Sequence, residues 1–132
     1  MSGECDLKRL VNSMQPELVD ETYVYVTTQE NRDWKVLKPK LVFEETEGTT
    51  LIVPMSMARL DELEYVFPCR MITLNIHSSL EAVGFMAAVA TKLAAAGIGV
   101  NPVAGYFHDH LFVAADHAED ALVELRALAR EY

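Results

Sequence analysis

One segment narrows the possible folds more than any other. Ala82 to Val103 is strongly apolar and rich in alanine, with Thr91, Lys92 and Asn101 as its polar interruptions. Its spacing predicts a helix over Glu81–Ala96, closed by Gly97 as C-cap, and then a strand over Val100–Ala104. Within that helix only Glu81, Thr91 and Lys92 are plainly polar. A helix apolar almost all round must be covered on more than one side. Half of this 132-residue chain could hardly do that alone, so halves or subunits must pack together. The alanines, Gly97 and Gly99 suit a buried helix and strand better than a membrane span.

The rest of the chain supplies what such a helix would pack on. Asp6 caps a short helix carrying Leu7, Leu10, Val11 and Met14, which Pro16 stops. Tyr23–Thr27 is rich in β-formers. Thr28–Lys40 reads as a polar loop with a short strand around Trp34–Leu37. Leu41–Glu45 and Thr49–Val53 form a hairpin around Gly48. Pro54 ends that strand, and Ser56 caps a short helix with Leu60 and Leu63. Ile72, Leu74 and Ile76 alternate along another strand. Gly105–Asp109 is a turn region and His110–Val113 a strand. Asp116 opens the last helix with Glu119 as capping-box partner, and Ala118, Ala121, Leu122, Leu125, Leu128 and Ala129 form its apolar stripe.

The element order is α-β-β-(β)-α and then β-α-β-β-α. Both halves resemble the split βαβ, ferredoxin-like unit with an edge missing. Unpaired edges are a liability. The economical remedy is two halves that complete each other, or a dimer that pairs the edges.

Composition excludes several functions. With 20 acids against 11 bases, the formal charge of −9 argues against nucleic acid or anionic lipid as the main partner. The hydrophobic share of 51% places the chain in the globular class. Met1–Leu10 has no apolar run of the secretory kind, and Cys5 and Cys69 make no disulfide framework. A cytoplasmic location with reduced thiols is expected. There is no Walker loop, dinucleotide fingerprint or nucleophile elbow.

Ile72–Asn101, ITLNIHSSLEAVGFMAAVATKLAAAGIGVN, resembles the core of an ACT domain. Gly84 matches the glycine at the first helix of that pattern, and Leu93, Gly97, Ile98 and Val100 match the passage into its second strand. EGTTLIVP (47–54), HSSLEAVGF (77–85) and AGYFHDHLFV (104–113) are similar to segments of small uncharacterised bacterial tandem-ACT proteins. There is a more distant likeness to eukaryotic arginine-sensing ACT proteins, in the serine-rich loop and the Asp-His pair. The resemblance covers nearly the whole chain and is looser before Phe43. It implies an α+β fold of two interlocked ferredoxin-like βαββαβ halves with antiparallel sheets, residues 1–66 and 67–132. It further implies a dimeric regulatory module that binds an amino acid and is not an enzyme.

The candidate ligand site is Ser78, Ser79, Leu80, Glu81, Ala82, Val83 and Gly84, facing Asn101, Asp109 and His110. A helix N-terminus offers free N–H groups and a partial positive charge, which suit a carboxylate. Asp109 suits an ammonium or guanidinium through a charge-assisted bond. Simple helix capping by Ser79, with Glu81 complementing the dipole, accounts for the same loop residues. His77, His108, Asp109 and His110 form an alternative constellation for a metal-dependent enzyme, although their spacing matches no zinc signature. Ordinary turn chemistry accounts for these residues as well. The expected set therefore has no catalytic residue, no metal ligand and no cofactor. A structural dimerisation module is the third reading.

Overall fold

In a computed structural model, residues 3–132 are described and pack as two compact units. The first comprises residues up to Asp20 together with Arg70–Tyr132, and the second Glu21–Cys69. The secondary structure runs α1 (Leu7–Ser13), β1 (Glu17–Thr28), β2 (Leu41–Glu44), β3 (Thr49–Pro54), α2 (Met55–Leu60), β4 (Val66–Thr73), α3 (Phe85–Ala95), β5 (Asn101–Ala104), β6 (Asp109–Ala114) and α4 (Ala118–Glu131).

β1 and β4 each begin in one unit and end in the other. Strand order is therefore β2-β3-β1-β4 in the second unit and β1-β4-β6-β5 in the first. Both are the order of a ferredoxin-like sheet. The edge missing from the expected element order of each half is supplied by a long strand that contributes residues to both units. The β1–β3, β2–β3 and β5–β6 pairs are antiparallel, with Thr49 opposite Glu44 and Asp109 opposite Ala104 at the tight ends.

In the first unit, α1, α3 and α4 enclose one core. Leu10, Val11, Ile72, Leu74, Val89, Leu93, Leu111 and Leu125 are fully buried there. As expected, Asp6 caps α1, its Oδ1 accepting from Arg9 N at 3.0 Å. The second unit has a smaller core of Val24, Val26, Trp34, Leu37, Leu51, Val53 and Ala58. Among the described residues no helix is long and apolar enough to cross a membrane.

Several sequence expectations need correction. The long helix begins at Phe85 rather than Glu81, because Gly84 stands before it with φ +91°, outside helical backbone. Its coverage is also less complete than expected. Phe85, Val89 and Leu93 are buried, while Ala87, Thr91, Ala94 and Ala95 face solvent. Alanine exposes little apolar area, so this costs less than exposing a larger aliphatic.

Trp34–Leu37 is not a strand. Lys35–Leu37 forms a 3-10 turn that buries both Trp34 and Leu37, with Asp33 Oδ1 accepting from Lys35 N at 3.0 Å. Ser56 does not cap α2, because Pro54 leads directly from β3 into the helix and places Ser56 in its first turn. Asp116 lies in a 3-10 turn over Ala115–His117, so α4 starts two residues later without a side-chain cap. The strand through Ile72 stops at Thr73, because Asn75 turns the chain with φ +45°.

Candidate functional site

Residues 78–84 form an irregular loop within the first unit, leading from the end of β4 to α3. Ser78 and Ser79 are its buried polar residues, 7% and 4% exposed. Burying a hydroxyl costs free energy unless it finds a partner. Ser78 Oγ donates to Asp109 Oδ2 at 3.0 Å, tying the loop to the first residue of β6. Ser79 Oγ accepts from Glu81 N at 3.1 Å, and Ser79 O accepts from Ala82 N at 3.0 Å. Ser79 thus holds a local turn and does not cap α3.

The N-terminal segment braces this loop, which sequence reasoning missed. Glu4 N donates to His77 O at 2.8 Å and Ser79 N donates to Glu4 O at 2.9 Å, making a short parallel bridge. Gly3 has φ +100°, and a Cβ there would lie 2.5 Å from Ser79 N. That close approach requires glycine. The faint signal in the sequence was a glycine two residues before Cys5.

Asp109 is half-buried and makes no ion pair among the described residues. Its backbone carbonyl accepts from Leu74 N at 3.0 Å, fixing β6 beside the end of β4. His110 Nδ1 lies 3.0 Å from Thr73 Oγ1. Leu80, Glu81 and Val83 are exposed, Ala82 and Gly84 half-buried. The structure therefore brings Ser78 and Asp109 together, with His110 adjacent in the chain. It does not bring Asn101 to them. Ala104 sits opposite Asp109, and Asn101 lies at the other end of β5, roughly 10 Å away at strand spacing.

The imidazoles do not converge. His108 lies in the turn before β6 rather than on the strand, so the expected alternation with His110 is lost. The two rings are 6.4 Å apart and nearly perpendicular. His77 instead lies 5.4 Å from Phe107, which lies 4.9 Å from Tyr106. Tyr106 and Phe107 are largely exposed at the turn tip. Among the described residues no three His, Cys, Asp or Glu side chains are grouped to hold a metal ion.

The second unit carries a feature that sequence reasoning did not find. An open cavity of about 470 Å³ is lined by Tyr25, Thr27, Leu63, Glu64, Tyr65 and Val66. Next to it, Phe67 has φ +56° and sets its ring edge-on to Tyr25 at 5.8 Å.

Residues 2–70 and 66–127 match two family models, each describing an ACT domain. The chain belongs to the ACT-domain family. A protein of unknown function from Vibrio cholerae, described as a possible transport protein, is 44% identical, with TM-score 0.85 over 93% of this chain and 95% of that one. A protein from Agrobacterium tumefaciens is 15% identical, with TM-score 0.72 over 88% and 89%. The ligand-free regulatory subunit of aspartate kinase from Thermus thermophilus is 10% identical, with TM-score 0.65 over 89% and 97%. These last two likenesses show the fold. No curated protein matches in sequence.

Proposed function

We propose that this tandem ACT protein is a sensor that binds an amino acid or a related small metabolite on residues 78–84, Asp109 and His110. ACT domains are regulatory modules that bind small ligands. The observation that carries the specific reading is the Ser78–Asp109 hydrogen bond. It holds a half-buried carboxylate without a cationic partner at the end of a loop whose other end, Gly84, opens a helix.

Asp109 receives the ligand's positive group. The amides of the first turn of α3, which have no partner inside the helix, receive its carboxylate. Asn101 takes part only with a ligand long enough to span the β5–β6 ladder. A ligand bound against residues 78–84 changes the surface around α3, and a partner reading that surface receives the signal. A second copy of this chain is one such partner. No observation favours the metal-dependent reading, since among the described residues no three His, Cys, Asp or Glu side chains are grouped to hold a metal ion.

Titration calorimetry against the common amino acids tests this. One of them is expected to bind with millimolar affinity or better, and Asp109→Asn to weaken it at least about tenfold. Absence of binding by all of them removes the reading.

A further inference from the structure

We propose that the open cavity of the second unit is a binding site for an organic cation with an apolar body, of the quaternary-ammonium class. The cavity lies wholly within Glu21–Cys69, and its proposed role is independent of the reading of residues 78–84.

Local structure builds the cavity. Val24 and Val26 belong to the core of the unit, so Tyr25 and Thr27, which alternate with them along β1, stand on the opposite face. α2 ends in a Schellman turn, with Glu62 at φ +53°. Leu63 N donates to Ala58 O at 2.9 Å there, and Glu62 N to Arg59 O at 3.2 Å. That turn delivers Leu63–Val66, which line the cavity with Tyr25 and Thr27. Phe67 follows at φ +56°, a conformation that costs a bulky residue free energy and persists where its surroundings impose it. It sets the Phe67 ring edge-on to Tyr25 at 5.8 Å. Arg59, outside the lining, donates its Nε–H to Tyr65 Oη at 3.3 Å and holds that phenol by its hydroxyl.

The lining selects the ligand. About 470 Å³ suits a small molecule. Two phenol rings, two aliphatic side chains and one carboxylate, Glu64, border it, and no base is among the lining residues. Glu64 is exposed and makes no ion pair among the described residues. An anion would be repelled there. A neutral apolar guest would take water from the carboxylate and return nothing. A hard metal ion needs several oxygen ligands and would find one carboxylate. A compact ammonium is strongly hydrated and resists transfer onto Leu63 and Val66. A cation whose charge is spread over methyl groups satisfies the whole lining. Its charge faces Glu64 and the tyrosine rings, and its methyl groups pack on the aliphatic side chains.

Titration of the full chain with choline, and with its uncharged analogue in which carbon replaces nitrogen, tests this by two-dimensional NMR. Choline is expected to shift the signals of Tyr25, Tyr65 and Glu64 saturably, and the analogue to bind at least about threefold more weakly. Glu64→Gln and Tyr25→Leu should each weaken choline by at least about threefold, and Asp109→Asn should leave it unchanged. Thermal melts check folding, and exposed Glu64 carries the test if Tyr25→Leu is unstable. Equal binding of choline and its analogue, no binding of choline, or choline binding lost in Asp109→Asn and kept in Glu64→Gln overturns the proposal. None of these results bears on amino-acid binding at residues 78–84, which stands or falls with its own titration.

Discussion

Ser78 and Asp109 are a serine and an aspartate far apart in sequence that share one hydrogen bond at 3.0 Å. Ser78→Ala would remove the donor that orients the carboxylate, while Asp109→Asn would remove the charge. Ligand affinity is therefore expected to fall in both, and more in Asp109→Asn. The two cysteines differ in another way. Cys69 is fully buried, its thiol donating to Tyr23 O at 3.4 Å, and burial pushes its pKa up to about 12. Cys5 is exposed. A thiol reagent at neutral pH should label Cys5 rapidly and Cys69 only after unfolding. The same shift has a sign in stability. Below about pH 9 the thiol is neutral in both states. Above that the unfolded thiol ionises while the folded one stays neutral, so stability falls as pH rises toward 12. Tyr23 and Tyr25, raised chiefly by burial, act in the same direction at the upper end. Chemical denaturation at stepped alkaline pH should show a shallower fall in Cys69→Val.

At the scale of elements, two positions set the loop. Gly84 stands at φ +91° with nothing closer than Leu7 at 3.5 Å, so an added Cβ is strained by backbone rather than by crowding. Gly84→Ala should cost roughly 1–2 kcal/mol in denaturant titration. Asp6→Ala should cost about 1 kcal/mol by uncapping α1. The sequence made α1, the β2–β3 hairpin and most of α4 legible, because each carries its own periodicity with a cap or turn residue beside it. The start of α3 was not legible that way. Ala82 and Val83 fit a helix as well as a loop, and only the conformation of Gly84 decides between them. Asp109 was legible as a carboxylate that could read a cation. Its tie to Ser78, and the brace of Gly3–Glu4 on the loop, were not, because both depend on contacts between residues far apart in sequence.

At the scale of the whole molecule, the nearly all-apolar helix argued that halves or subunits must pack together. The protein meets much of that demand within one unit, where α1 and α4 flank α3 over a shared core. Leu125→Ala, deep in that core, should cost roughly 2–5 kcal/mol. The excess of acids now divides by place. Glu119 and Asp120 stand at the start of α4, Glu44 and Glu45 at the hairpin, and Asp109 alone is held by the candidate loop. A ligand bound there stabilises the fold by mass action, about 2.7 kcal/mol at a hundred times its dissociation constant, and raises the melting temperature accordingly. The most direct measurement is titration calorimetry of the common amino acids into the parent protein and Asp109→Asn. One amino acid is expected to bind the parent, and the variant to lose at least about tenfold in affinity. Equal binding to both proteins, or binding to neither, would contradict it.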